Sequence, residues 1–250
     1  MSFSFSAHCV RAVLLDIEGT TTPIAFVYDS LFPFARERAR DFLFQNFESA
    51  ELQTDLALLR EEFNADPALD LAPPPLIDAP REARIESIVT YIHWLMARDR
   101  KSTGLKALQG KIWKQGYETG TLKAQVYSDV APALERWRKA GLKVHIFSSG
   151  SVLAQKLLFA HTDAGDLTRF LSRYFDTTTG PKTEAASYRR IAAALELPPS
   201  QILFISDVVN ELEAARHAGT QTLLCVRPGN HPQPSTEKHP VIESFDGVVE

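Results

Sequence analysis

The sequence has little cysteine and no excess of positive charge, and each absence excludes a class of function. Of its 250 residues, only Cys9 and Cys225 are cysteines, and their separation fits neither a CxxC motif nor a zinc cluster. We therefore expect two small, buried side chains in a reducing compartment. The formal net charge is −4 at pH 7, so no basic surface indicates binding to nucleic acid or to a membrane.

Long apolar runs are also missing. Arg11 and Asp16 flank the apolar stretch nearest the start of the sequence, so we expect neither a signal peptide nor a membrane-spanning helix. The composition, 44% hydrophobic and 23% charged, is that of an ordinary globular protein. These features predict a cytoplasmic protein, and the lack of an obvious interaction segment favours a monomer.

Short apolar segments alternate with amphipathic ones, which predicts parallel strands separated by helices. The predicted strands are residues 11–15, 142–147, 201–205 and 222–226. The predicted helices between the later strands are residues 131–140, 152–160, 184–195 and 208–218. Gly141 and Gly219 lie where two of these helices should end. The fold class is therefore α/β, with helices on both faces of a parallel sheet.

The region between about residues 26 and 121 breaks this alternation because its pattern is helical nearly throughout. Its predicted helices are residues 29–47, 50–64, 81–100 and 105–117, with a proline-rich break at 72–80. No strand signal of comparable quality lies there. We expect an α/β core formed by residues 1–25 and 122–250, interrupted by an all-helical insertion at 26–121. Residues 228–240, rich in proline and polar side chains, predict a surface loop.

The first predicted strand runs directly into charged and hydroxyl groups, in the stretch Leu15-Asp16-Ile17-Glu18-Gly19-Thr20-Thr21-Thr22-Pro23. Ligands bind at the carboxyl edge of open α/β sheets. Two acids two residues apart can act there, one as nucleophile or metal ligand and the other as acid or base. Asp16 and Glu18 are therefore candidate catalytic residues, although such a motif alone is more often an ordinary turn.

Three further polar motifs precede predicted helices. Ser148-Ser149-Gly150-Ser151 follows a strand, and free amides at a helix start can bind phosphate. Lys182 could bind an anionic substrate, and Asp207, at another strand end, suits a hard cation. Glu211 could support a metal's water shell or be a surface glutamate. Taken singly, these residues are more often helix caps or solvated side chains.

Together, these motifs predict one phosphate-cleaving site, because the carboxyl ends of parallel strands share one edge. A Mg²⁺ ion between Asp16 and Asp207 would offset the repulsion between a carboxylate and a phosphate ester. Lys182 and the amides of the serine-rich loop would hold the remaining phosphate oxygens. Asp16 would attack phosphorus, while Glu18 would protonate the leaving oxygen and later activate water.

The residues of these motifs, and their order along the chain, resemble those of the haloacid dehalogenase superfamily of aspartate-nucleophile phosphatases. Within it, nearly the whole chain is similar to the enolase-phosphatases (acireductone synthases) of methionine salvage. The stretches that carry the resemblance are residues 16–24, 146–151 and 206–212, supported by residues 25–27, 113–117 and 127–130. The resemblance implies a Rossmann-like parallel sheet with a helical cap inserted after the first motif.

The resemblance also implies a reaction and a set of residue roles. Magnesium-dependent enolisation of 2,3-diketo-5-methylthiopentyl-1-phosphate would be followed by loss of phosphate, giving the acireductone 1,2-dihydroxy-3-keto-5-methylthiopentene. By position, the implied roles are Asp16 as nucleophile and metal ligand, Glu18 as metal ligand through its backbone carbonyl, Asp207 as metal ligand, and Ser148, Ser149 and Lys182 as substrate contacts. A second aspartate is usual in the superfamily where Glu18 stands, and glutamate is typical of this branch.

Two other functions stay open at this point. The chain could be a phosphatase of the same superfamily for another small phosphorylated metabolite. It could also bind phosphometabolites without catalysis, although binding alone needs no nucleophile. The base for the enolisation step is not identified by any motif, and we interpret His145 as a core histidine whose polar atoms are satisfied.

Overall fold

The computed structural model describes residues 3–65, 72–100, 102–233 and 238–249. The chain divides into two compact units, residues 1–28 with 123–250 and residues 29–122. The first unit contains the sheet. The second contains helices and, within its described residues, no strand.

The described strands of the first unit form a six-stranded parallel sheet and a separate two-stranded parallel pair. The strands are β1 (Phe3–Ser4), β2 (Ala12–Leu15), β3 (Lys143–Phe147), β4 (Leu171–Phe175), β5 (Ile202–Ser206), β6 (Gln221–Cys225), β7 (Val241–Ile242) and β8 (Val248–Val249). The order across the larger sheet is β4-β3-β2-β5-β6-β7, and β1 pairs with β8.

The helices of the first unit are α1 (Ile24–Phe26), α6 (Val130–Lys139), α7 (Val152–Ala160), α8 (Ala185–Leu195) and α9 (Val209–His217). Those of the second are α2 (Phe32–Asn46), α3 (Ala50–Ala65), α4 (Arg81–Ala97) and α5 (Thr103–Glu118). A π-helical turn, Val27–Leu31, follows α1. Among the described helices, none combines the length and apolar character that crossing a bilayer requires.

The predicted fold class is confirmed, and the four predicted strands agree with β2, β3, β5 and β6 to within a residue or two at each end. Strand β4 and the two-residue strands were not predicted from the apolar pattern of the sequence. Strand β4 lies at the sheet edge, where Ser172 and Arg173 are exposed. These polar residues interrupt the apolar run on which strand prediction depends. Residues 234–237 of the predicted loop at 228–240 lie outside the described part of the chain.

The centre of the sheet is buried on both faces, as parallel sheets require. All four residues of β2 are at most 1% exposed. On one face, Leu14 and Phe204 belong to a core cluster with Tyr188 of α8 and Leu212 of α9. Burying each such side chain contributes about 1.5–3 kcal/mol. This packing fixes the strands whose carboxyl ends carry the polar motifs.

In the helical unit, a glutamate caps the start of α5. Glu62 accepts hydrogen bonds from the Ser102 hydroxyl at 2.5 Å and from the amides of Thr103 at 2.7 Å and Gly104 at 3.2 Å. These amides have no partner inside their own helix. A Cβ at Gly104 would lie 2.9 Å from the Leu59 backbone, so glycine allows α3 and α5 to pack closely.

Two sequence-based interpretations need correction. Cys9 is exposed, because it lies in a turn before β2 with a positive φ of 54°; only Cys225 is buried. His145 is buried in β3 at 1% exposure, but neither ring nitrogen has a hydrogen-bond partner within the described residues. Burial, assisted by the charges of Arg173 and Lys143, lowers the pKa of His145 to about 4.

The burial of His145 predicts acid sensitivity. Its pKa is about 4 in the folded protein and about 6.5 in an unfolded chain, so stability present above pH 6.5 is lost as the pH falls toward 4. His145→Phe should therefore be more stable than wild type by about 2–3 kcal/mol at pH 4.5 and differ little at pH 7. Denaturant titrations at both pH values measure the difference. The exposed His231→Phe serves as control, and equal gains in both variants would contradict this explanation.

Candidate active site

The strand register brings three polar motifs to one edge of the sheet. Strand β2 lies between β3 and β5, and its last residue, Leu15, pairs with Ile146 and Ile205. The strands are parallel, so their carboxyl ends share this edge. The residues that follow these ends are Asp16, Ser148 and Asp207.

Asp16 is buried at 4% exposure, and both of its carboxylate oxygens have partners. Lys182 Nζ lies 2.6 Å from Oδ1, and the Ile17 amide donates to the same oxygen at 2.7 Å. The Ser206 hydroxyl lies 3.0 Å from Oδ2. These contacts fix the orientation of the carboxylate, as a nucleophile requires.

Lys182 reaches Asp16 because its loop is tied to α8. The Tyr188 hydroxyl donates to the Lys182 carbonyl at 2.7 Å, and the Ser187 hydroxyl donates to the Pro181 carbonyl at 2.7 Å. Lys182 is only 7% exposed. Burial alone would lower the pKa of its ammonium, but the charges of Asp16 and Glu211 outweigh burial and raise it. The group therefore stays positively charged.

Glu211 and Ser206 belong to the same network. From the sequence, Glu211 was either a support for a metal or a surface residue, and Ser206 was not predicted as a site residue. Glu211 Oε2 lies 2.6 Å from Lys182 Nζ and 3.1 Å from Ser206 Oγ. The Ser206 hydroxyl has one proton, so it donates to either Asp16 or Glu211 at a given moment. Burial, and then the charge of Asp16, raises the pKa of Glu211. A hydroxyl immediately before Asp207 at a strand end was the available signal for Ser206.

Asp207 packs against the turn that follows Asp16. Gly19 has a positive φ of 70°, and a Cβ there would lie 2.3 Å from Asp207 Oδ2. Only glycine combines this conformation with such a close approach. Burial raises the pKa of Asp207 to about 7, the charge of Asp16 adds to the rise, and Lys182 opposes it. The carboxylate therefore lacks sufficient positive charge nearby.

Glu18 has an exposed side chain in this tight turn. Protein atoms still crowd its carboxyl enough that desolvation raises its pKa, and the charge of Asp16 adds to the rise. The backbone carbonyls of the two residues that flank Glu18, Ile17 and Gly19, both accept hydrogen bonds. The Glu18 carbonyl has no donor among the described residues, so it is free to bind a ligand.

The composition of this site fits a divalent cation that keeps most of its water. No three His, Cys, Asp or Glu side chains within the described residues are placed to hold a metal by themselves. Mg²⁺ commonly takes one or two carboxylates, with water and substrate phosphate completing its shell. Asp16, Asp207 and the free carbonyl of Glu18 provide such a set. The charge of Lys182 lowers the pKa of both Asp207 and Glu211, but it does not outweigh their burial and the charge of Asp16.

The serine-rich loop forms the start of α7 at this edge. Ser151 caps the helix by accepting from the Ala154 amide at 3.3 Å. Ser149 is exposed, whereas Ser148 is buried and its hydroxyl oxygen accepts from the Gly150 amide at 3.1 Å. Ser149 is therefore open to a ligand, and Ser148 retains a hydroxyl proton to donate.

An acid-bearing edge of a parallel sheet, with a lysine held against the first acid, is an arrangement that suits a hydrolase using an aspartate. The model of one family, haloacid dehalogenase-like hydrolases, matches residues 10–219. That span is most of the chain, which therefore belongs to this family.

Proteins with similar sequences indicate which group of haloacid dehalogenase-like hydrolases the chain belongs to. The chain is 56% identical over 221 residues to "Enolase-phosphatase E1" of Synechococcus elongatus, covering 88% of this chain and 90% of that protein. It is 45% identical over 242 residues to "Probable bifunctional methylthioribulose-1-phosphate dehydratase/enolase-phosphatase E1" of Arabidopsis thaliana, covering 95% of this chain and 48% of the plant protein. The crystal structure of UTR4 protein from Saccharomyces cerevisiae is similar with a TM-score of 0.77 and 36% identity, covering 95% of this chain and 99% of that one. Within the hydrolase family, the chain is thus a phosphatase of the enolase-phosphatase group, which confirms the prediction from its motifs.

Proposed function

We propose that this chain converts 2,3-diketo-5-methylthiopentyl-1-phosphate to the acireductone 1,2-dihydroxy-3-keto-5-methylthiopentene, by enolisation and then Mg²⁺-dependent hydrolysis of the phosphate. The observation that carries the proposal is the environment of Asp16. This buried carboxylate is held by Lys182 at 2.6 Å and by Ser206 at 3.0 Å where parallel strands end. A carboxylate fixed in this way is poised to attack an electrophile.

The name of the plant relative supports this substrate. It joins an enolase-phosphatase to a methylthioribulose-1-phosphate dehydratase. Removal of water from methylthioribulose 1-phosphate leaves a diketone that keeps both the methylthio group and the phosphate. A proton on the carbon between a carbonyl and the phosphate oxygen is acidic enough to be removed, so enolisation is a reasonable next step.

The proposed phosphate transfer uses Asp16 as nucleophile and Glu18 as acid and base. As the Asp16 carboxylate oxygen bonds to phosphorus, the bond from phosphorus to the substrate oxygen breaks, and Glu18 protonates that oxygen. Glu18 then takes a proton from water, which attacks phosphorus, releases phosphate and restores Asp16. Lys182 neutralises charge on the phosphate oxygens during both steps.

Asp16, Asp207 and the Glu18 carbonyl would hold the proposed Mg²⁺. When bound, the ion supplies positive charge that offsets repulsion between carboxylate and phosphate and orients the phosphate for in-line attack. Ser148 and Ser149 would contact the substrate, with free amides at the start of α7 available to its phosphate. The exposed hydroxyl of Ser149 supports its assignment more directly than the engaged hydroxyl of Ser148.

We also propose that the protein acts as a monomer in the cytoplasm on a small molecule, without nucleic acid or membrane. The net charge of −4 and the scarcity of cysteine support this setting. Light scattering of the purified chain tests the oligomeric state, and a stable dimer would contradict this part of the proposal.

The decisive experiment incubates the protein with the diketo phosphate and Mg²⁺, following ultraviolet absorbance of the enediol product together with free phosphate. We expect both signals to rise, and both to disappear when a chelator removes the metal. Comparable efficiency on ordinary sugar phosphates would instead indicate a phosphatase of broader specificity. Binding of the diketo phosphate without release of phosphate would indicate a non-catalytic binding protein.

A further inference from the structure

The turn after Asp16 is held by two side chains from a distant loop. Asn230 Nδ2 donates to the Gly19 carbonyl at 2.9 Å. Arg227 donates to the next carbonyl, that of Thr20, from Nε at 3.3 Å and from Nη2 at 3.2 Å. Two successive carbonyls of the acid-bearing turn are therefore bound from outside by residues that follow β6. We call Arg227 and Asn230 the turn clamp.

Arg227 is itself rigidly held. Its side chain is 4% exposed, and its guanidinium faces both carboxylate oxygens of Asp129, Nη1 at 3.0 Å and Nη2 at 2.9 Å. The rings of Tyr127 and Phe245 lie 4.5 and 4.9 Å from its central carbon. A planar guanidinium fixed by a two-point ion pair and by aromatic rings has little freedom to move. It therefore holds the Thr20 carbonyl in one place.

The loop geometry brings both members of the turn clamp to the same side. The backbone N–H of Asn230 donates to the Arg227 carbonyl at 3.1 Å, and Gly229 between them has a positive φ of 88°. Asn230 Nδ2 also approaches the Cys225 carbonyl at 3.3 Å. One asparagine thus ties the end of β6 to the turn after β2.

The geometry points to Arg227 and Asn230 as positioning residues for the reaction, an inference that rests on the proposed function. Neither residue bonds to Asp16, Lys182 or Glu211 in the contacts described above. They instead hold the two carbonyls that follow the free carbonyl of Glu18. By fixing Gly19, they also fix the backbone against which Asp207 packs at close range. The turn clamp therefore sets the spacing between the Glu18 carbonyl and the Asp207 carboxylate, two of the proposed metal ligands.

If the turn clamp only stabilised the fold, its loss would lower stability without a specific effect on Mg²⁺ binding or kcat. A matched control variant in the helical unit separates these two roles. Asn46 in the helical unit also donates from Nδ2 to a backbone carbonyl, that of Phe42, at 2.9 Å, and is likewise half-buried. Asn230→Ala and Asn46→Ala therefore each remove a side-chain hydrogen bond from Nδ2 to a backbone carbonyl. The melting temperature of each variant is measured so that loss of stability can be separated from loss of positioning.

Three measurements separate positioning from stability. In Asn230→Ala, we expect faster hydrogen–deuterium exchange at the amides of Thr20–Thr22, about tenfold weaker Mg²⁺ binding by isothermal titration calorimetry, and a kcat lowered by about tenfold or more with KM changed less than about twofold. Asn46→Ala should match wild type in all three. Arg227→Lys keeps the positive charge facing Asp129 but loses the planar guanidinium that binds two oxygens at once. We expect its exchange rate, Mg²⁺ affinity and kcat to change in the same direction as those of Asn230→Ala.

Wild-type exchange rates or wild-type Mg²⁺ affinity in both Asn230→Ala and Arg227→Lys would overturn the inference. The exchange measurement involves no substrate, so it tests the turn clamp separately from the reaction. If wild type itself neither binds Mg²⁺ nor releases phosphate, the proposed function fails. In that case, faster hydrogen–deuterium exchange in Asn230→Ala would still show that the turn clamp holds the turn. The proposed role of the turn clamp in catalysis would nevertheless be wrong.

Discussion

Asp16→Asn should lower Mg²⁺-dependent phosphate release by at least about a thousandfold. The amide is nearly the same size as the carboxylate but is too weak a nucleophile to attack phosphorus. The fold should survive the change, because Lys182 keeps Glu211 as a partner at 2.6 Å. Phosphate release is measured in steady state, and acid-quenched wild type should carry phosphate on the peptide that contains residue 16.

A matched control for this substitution lies in the helical unit. Asp55 is also ion-paired with a lysine, Lys111, and its side chain is 12% exposed. Asp55→Asn breaks a similar pair that includes none of the proposed site residues, so it should turn over at close to the wild-type rate. Substantial turnover by Asp16→Asn, or phosphate found on another residue, would show that Asp16 is not the nucleophile.

Asp207→Asn should abolish the response to Mg²⁺ and yet stabilise the metal-free protein. The pKa of Asp207 is about 7 and that of a free aspartate about 3.9, so the folded state binds the extra proton. Stability contributed by the protonated form is therefore lost as the pH rises from about 4 to 7. Removing the charge should raise stability at pH 8 by about 2–4 kcal/mol, while phosphate release falls at least about a hundredfold.

Denaturant titrations of the metal-free proteins at pH 5 and pH 8 measure the stability change, and the same titrations with Mg²⁺ measure the response to metal. Asp163→Asn, an exposed position with the same change in net charge, should show neither effect. A variant that lost stability at pH 8, or that kept its Mg²⁺ response, would contradict the assignment of Asp207 as a metal ligand.

Most of the sheet edge could be predicted because strand ends are a local signal. Asp16 directly follows an apolar run, Asp207 follows another after Ser206, and parallel strands share one carboxyl edge. The edge strand β4 could not be recognised, because exposure allows polar residues such as Ser172 and Arg173 to interrupt its pattern. Local sequence thus locates a buried strand better than a half-exposed one.

The remaining site residues depend on contacts that sequence does not encode locally. Lys182 reaches Asp16 only because Ser187 and Tyr188 hold its loop against α8. Glu211 looks like any glutamate on a helix until α9 packs beside β5. Asn230 lies in a segment interpreted as a surface loop, yet it binds a carbonyl 211 positions earlier. These roles follow from the order of strands in the sheet, which a single sequence does not specify.

We propose that Asp16, the attacking carboxylate, and Asp207 bind one Mg²⁺ ion, and crystallography with Mg²⁺ and a phosphate mimic tests this most directly. We predict an ion bound to the carboxylates of Asp16 and Asp207 and to the Glu18 carbonyl, with the mimic between Asp16 and Lys182. An ion bound elsewhere, or a mimic beyond the reach of Asp16, would contradict the account.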